Sequence, residues 1–169
     1  MPTIVEGSLS FDFPEGWNVS KFDDWSFVRN QFQSVCGGAK AIDILAVEPN
    51  SACVWHIEVK DYRQRTRKKV IGLAEEVAEK VRDSLAALVA ARVNAKEDTE
   101  RAMADAALRC RRLRILLHLE QTAKPSRLFP KAFDPAKVQQ RLKQLTKAID
   151  PHPLVRDTRE PQGYSWTVR

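Results

Sequence analysis

Apolar and polar residues alternate through Ser8-Leu-Ser-Phe-Asp-Phe13, with Leu9, Phe11 and Phe13 on one face. The alternation predicts a short strand that stops at Pro14-Glu-Gly16. The spacing then turns helical. Phe22, Trp25, Val28 and Phe32 would face a core from a helix over about 21–33, with Ser20 as N-cap and Asp23 and Asp24 in the first turn. Two apolar runs of strand length follow, Ala39–Val47 and Ala52–Val59, split by Glu48-Pro-Asn-Ser51. They predict a β-hairpin whose strands are covered on both faces.

From about Thr66 to Ala95 a stripe of Val70, Leu73, Val77, Val81, Leu85, Leu88 and Val89 predicts a long amphipathic helix. A further helix runs to about Cys110, capped by Asp98 or Thr99 and either separate from the long one or continuous with it. Leu113–Leu119 reads as a buried strand, and 121–133, with Pro125 and Pro130, as a loop. Asp134-Pro135 opens a last helix to about Ile149, and Tyr164–Val168 alternates as a terminal strand. Strands alternating with helices predict an α/β three-layer sandwich, a mixed central sheet with helices on both faces. At 169 residues this is one domain, with its core at about 20–120 and a C-terminal helix and strand added.

Composition narrows the class. Apolar residues make up 43% and charged residues 30%, as in soluble globular chains. There is no apolar run of membrane length and no signal-peptide pattern at the N-terminus, and the three cysteines have no paired spacing. A cytoplasmic protein without a membrane partner is expected. The net charge of +6 is uneven: acids outnumber bases up to Glu58, whereas Lys60, Arg63, Arg65, Arg67, Lys68 and Lys69 follow, and Arg109, Arg111, Arg112 and Arg114 come later. Charge alone leaves both nucleic-acid binding and a merely solvated basic surface open.

The chemistry-bearing pattern is Val54-Trp-His-Ile-Glu-Val-Lys60. Side chains alternate along a strand, so Glu58 and Lys60 share a face while Ile57 and Val59 point away. Asp43 is a lone acid in the partner run. A hairpin folded about Pro49-Asn50 would set Asp43 opposite His56 and diagonal to Glu58, with all four polar residues on one face. A structural Glu58–Lys60 ion pair is the alternative, although buried ion pairs gain little over apolar residues.

Asp43 followed, after fourteen residues, by Glu58-Val-Lys60 resembles the PD-(D/E)XK nuclease superfamily, with Ile42 in place of the Pro that precedes the Asp. The resemblance implies a restriction-endonuclease-like fold and a metal-dependent nuclease that hydrolyses phosphodiester bonds, in DNA above all. Asp43, Glu58 and the Val59 carbonyl would hold Mg²⁺ or Mn²⁺, hard ions that take oxygen ligands. Lys60 would orient or help deprotonate the attacking water. Asp23 or Asp24 could add an acid, or simply belong to a helix N-terminus. Arg63, Arg65 and Arg67 would contact phosphates, and double-strand cleavage would call for a homodimer. The alternative is a non-catalytic nucleic-acid-binding or assembly module that keeps the fold.

Overall fold

The computed structural model describes residues 1–64, 71–125, 127, 132–160 and 163–169. The first two strands, β1 (Thr3–Glu6) and β2 (Leu9–Asp12), form a hairpin in which Glu6 faces Leu9 across a two-residue turn. Gly7 takes φ +58° there, which glycine adopts without strain. β8 (Thr167–Val168) joins β2 to complete a three-stranded antiparallel sheet.

A second sheet has five strands in the order β3 (Asn18–Lys21), β4 (Ile44–Val47), β5 (Val54–Tyr62), β6 (Leu113–Gln121) and β7 (Leu154–Arg156). It is mixed: β3, β4 and β5 pair antiparallel, whereas β5, β6 and β7 run parallel. Parallel neighbours need crossovers. α2 (Leu73–Asn94) and α3 (Asp98–Leu108) carry the chain from β5 to β6, and α4 (Pro135–Thr146) carries it from β6 to β7.

The expectation of helices on both faces is corrected. Both crossovers move in one direction across the sheet, so connections of one hand lay all their helices on one face. That face packs Leu45, Val54, Ile115 and Leu117 against Val77, Val81, Leu88, Met103 and Leu142 from α2, α3 and α4. The other face is covered by the small sheet. Leu9, Phe11 and Phe13 meet Ile44, Trp55, Ile57 and Leu116, and Trp166 stacks on Tyr164 at a centroid distance of 4.3 Å.

Local differences have local causes. The 21–33 helix shrinks to α1 (Ser26–Asn30), because Asn18–Lys21 pairs with β4 as an edge strand. Ser20 Oγ therefore accepts from Trp25 Nε1 at 2.7 Å instead of capping a helix. β7 carries too few residues to show an alternation, and in β1 the two apolar residues, Ile4 and Val5, are adjacent. α2 and α3 are separate helices, α3 has no side-chain cap from Asp98 or Thr99, and Val89 is exposed. Asp134 does cap α4, accepting from Ala136 N at 3.0 Å with Pro135 at the first position.

Five-residue α1 is too short to persist alone. It is held by Glu100 of α3, which is 9% exposed and accepts from the backbone N–H groups of Ser26 (2.6 Å) and Phe27 (3.1 Å). Glu100→Ala orphans both donors, that of Phe27 in a buried place. A loss of about 1–3 kcal/mol in urea unfolding is expected, with Glu100→Gln less affected. An unchanged midpoint in the alanine variant would show that α1 needs no cap.

Candidate functional site

The charged centre lies where β5, the segment before β4, and α2 meet. Alternation along β5 puts His56, Glu58 and Lys60 on one face, as expected, and the structure shows that this is the face covered by the helices. The hairpin register is offset by two residues from the expected one. Leu45 faces His56 and Ile44 faces Ile57, because the turn spans a 3-10 segment (Pro49–Ser51) closed by Glu48 N–H donating to Cys53 O. A two-residue offset preserves the face, so Asp43 still joins Glu58. Asp43 itself stands just before β4 rather than within it. Its Oδ2 accepts from Val59 N at 2.6 Å, which ties the loop to β5.

Glu58 is fully buried, and its Oε1 accepts from two ammonium groups, Lys60 Nζ at 2.5 Å and Lys80 Nζ at 2.7 Å. Lys80 also donates to Asp43 Oδ1 at 3.2 Å, and Lys60 lies 3.5 Å from Glu76 Oε1. Lys80 and Glu76 were missed in the sequence. They lie one turn apart on α2, in a row that continues to Ser84, whose Oγ accepts from Ile42 N at 3.0 Å. The visible signal was a polar row at four-residue spacing flanking the apolar stripe, which reads as solvated unless the loop it clamps is known.

Electrostatics follow from burial. Desolvation, reinforced by the Asp43 charge, pushes the Glu58 carboxyl up to about 7 against the pull of Lys80 and Lys60. Burial draws the lysines down, but Glu58 and Asp43 outweigh it and both remain raised. Asp23 belongs to this field: burial first, then the Asp43 charge, pushes it up to about 6, and its Oδ1 is buried without a hydrogen-bond donor. Asp24 instead pairs with Lys21 and Arg29. Four carboxylates thus face two ammonium groups.

Among the described residues no three His, Cys, Asp or Glu side chains form a ready metal-ligand group. Asp43 and Glu58 nevertheless converge on one point, held by Lys80 Nζ, and Glu58 Oε2 is a buried hard oxygen with no donor. Mg²⁺ takes one or two carboxylates together with waters, so an ion held by these two acids would have to displace the Lys80 ammonium.

Of the expected phosphate contacts, Arg65 and Arg67 lie outside the described residues. Arg63 is half-exposed but engaged, its guanidinium donating to both oxygens of Asp61 and to Ser8 Oγ. It still shares with Lys60 a cleft of about 770 Å³ that also reaches Gly7, Ser8 and Tyr62. Tyr62 lies against Phe133 at a centroid distance of 5.4 Å. His118 is a buried strand residue bonded to Glu120, and His152 is exposed in its loop.

No family model matches this chain, and neither does any solved structure. A cysteine--tRNA ligase of Neisseria meningitidis serogroup A / serotype 4A (strain DSM 15465 / Z2491) is 32% identical over 165 residues, a match that covers 79% of this chain. The chain spans 23% of that ligase's length.

These comparisons overturn the nuclease expectation. The named relative is a tRNA ligase, and nothing ties the chain to the PD-(D/E)XK superfamily or to a DNA-cutting hydrolase. The Asp43, Glu58 and Lys60 triplet does assemble. Three residues on paired strands are a small pattern, however, and with Lys80 and Glu76 they form an ion network that needs no nuclease to explain it.

Removing Lys80 leaves Glu58 and Asp43 short of a counter-charge in a buried place. Lys80→Met is expected to cost about 3–5 kcal/mol in chemical denaturation. Loss of less than about 1 kcal/mol would mean that the acids are neutralised otherwise. The Glu58 carboxyl is raised in the fold above its ordinary 4.5, so its favourable share is complete below that pH and is lost as pH rises to about 7. Glu58→Gln should therefore gain stability relative to the wild type across that window. A difference independent of pH would contradict the assignment.

Proposed function

We propose that this chain is an RNA-binding module that handles tRNA, with its charged centre serving as a divalent-cation site beside the bound backbone. The observation that carries the reading is the 32% identity to a protein named cysteine--tRNA ligase. The net charge of +6 supports it, since phosphate neutralisation dominates affinity for nucleic acid. The ligase as a whole is far longer than this chain, and the proposal concerns binding of the RNA, not the joining of cysteine to it.

The cleft that joins Lys60 to Arg63 is the natural seat for the backbone, and Arg65 and Arg67, which follow closely in the sequence, are further candidate contacts. Asp43, Glu58 and the Val59 carbonyl would hold Mg²⁺ or Mn²⁺ there. Bound at that place, the ion would supply a fixed positive charge to a neighbouring phosphate. The residues of this chain do the rest. Lys60, which lines the cleft, is anchored by Glu58 and Glu76, and Asp61 fixes the direction of the Arg63 fork. Among the described residues no helix is long and apolar enough to cross a membrane.

The test is equilibrium binding of an unmodified tRNA transcript, a duplex DNA of equal length and a single-stranded RNA, over a salt series with and without Mg²⁺. The tRNA is expected to bind most tightly, and Lys60→Ala or Arg63→Glu to weaken it at least about fivefold with a shallower salt slope. Mg²⁺ or Mn²⁺ should raise the melting temperature of the wild type but not of Glu58→Gln. Equal affinity for all three nucleic acids, or none for tRNA at low salt, would overturn the reading.

A further inference from the structure

At the other end of β5 from Lys60, a cavity of about 260 Å³ opens between the sheet and the helices α2 and α3. Its wall is apolar, built from Val54, Leu85, Leu88, Ala107, Leu108 and Leu113. His56 also lines it. The residue is fully buried, its side chain lies on the helix-facing side of β5, and neither ring nitrogen has a hydrogen-bond partner. A neutral imidazole presents one N–H and one lone pair. Leaving such groups unsatisfied costs about 1–3 kcal/mol. Packing against Leu88 and Ala107 does not need a histidine.

The mouth has the opposite character. Arg111 and Arg112 border the cavity and are both exposed. Their neighbours Arg109 and Arg114 are tied to Asp105 and Asp150, but among the described residues no carboxylate pairs with Arg111 or Arg112. An apolar slot with an unsatisfied imidazole in its wall and two unpaired guanidinium groups at its rim matches a ligand of one shape. That ligand has a flat ring system with edge donors or acceptors, carried on an anionic phosphate. The volume falls below the roughly 300–1,000 Å³ of pockets for drug-sized ligands, which favours one ring system over an extended molecule.

We propose that this cavity takes the base of one unpaired ribonucleotide, His56 bonding to the base edge and Arg111 and Arg112 holding its phosphate. RNA-binding sites read unstacked bases in this manner, by insertion between side chains and hydrogen bonds to the exposed edge. The inference deepens the RNA-binding reading and rests on it: the backbone lies along the cleft at Lys60, and one splayed base is captured near the start of the same strand.

Calorimetric titration of AMP, GMP, CMP and UMP, with ribose 5-phosphate as the probe that lacks a base, tests the cavity without any larger RNA. At least one mononucleotide should bind about tenfold or more tightly than ribose 5-phosphate. His56→Leu, which replaces the unsatisfied ring by an apolar side chain, should abolish that preference. Leu85→Trp, at a partly exposed position on the rim, should block all four nucleotides, and Arg112→Ala should weaken them and ribose 5-phosphate together. Cys110, which also lines the cavity, gives a second readout: in a Cys36→Ser background its alkylation should slow when the preferred nucleotide is present.

Mononucleotides that bind no better than ribose 5-phosphate, or equally well to His56→Leu and Leu85→Trp, overturn the proposal. If tRNA still binds in that case, the RNA-binding reading survives without it. If nucleotides bind through His56 while tRNA does not bind at all, the cavity assignment holds and the RNA-binding reading is the one that fails.

Discussion

A single carboxylate governs the arrangement of this molecule. Glu58 is fully buried at the centre of the sheet, and a lone carboxylate there would be expensive to keep ionised. It is accommodated because Lys60 comes from the same strand and Lys80 from the crossover helix, and both donate to one of its oxygens. Lys80 extends the network to Asp43, whose other oxygen is bonded to Val59 N–H. The loop before β4, the strand β5 and the helix α2 are thereby fixed to one another through one group of charges. The same row of α2 reaches the loop again through Ser84 and Asp83, which accept from the backbone of Ile42 and Lys40.

The strand that carries this network also divides the molecule chemically. Residues of β5 that point away from the helices, Trp55 and Ile57, enter the aromatic core under the small sheet. Those that point toward the helices form a polar series from His56 through Glu58 to Lys60. One strand therefore supplies a buried imidazole at one end, a charged centre in the middle and, at the other end, a cleft lined by Lys60 and Arg63 together with Glu6 and Asp61.

Much of this was legible in the residues. The alternation around Glu58 and Lys60 assigned both to one face, and Asp43 joined them despite a register offset by two, because strand periodicity forgives even displacements. Asp134-Pro135 announced α4 through local chemistry alone. Other features depended on tertiary partners. Asn18–Lys21 has no strand signature of its own and is an edge strand only because β4 is beside it. The stripe on α2 revealed Val77 and Val81 but not Glu76 and Lys80, whose charges become buried only once the loop at 41–43 packs on them. Function was the least legible. The acid–acid–lysine triplet suggested a nuclease because that chemistry needs those residue types, yet the same residues satisfy the demands of a buried ion network, and the relation to a tRNA ligase points elsewhere.

Hydrogen–deuterium exchange of the protein with and without a bound tRNA transcript tests the central claim most directly, because it locates the RNA on the fold. The account predicts slowed exchange in two separate stretches, 59–64 at the end of β5 and 108–113 leading into β6, with α4 unchanged. Protection confined to α4 and β7, or spread evenly over the surface, would contradict it.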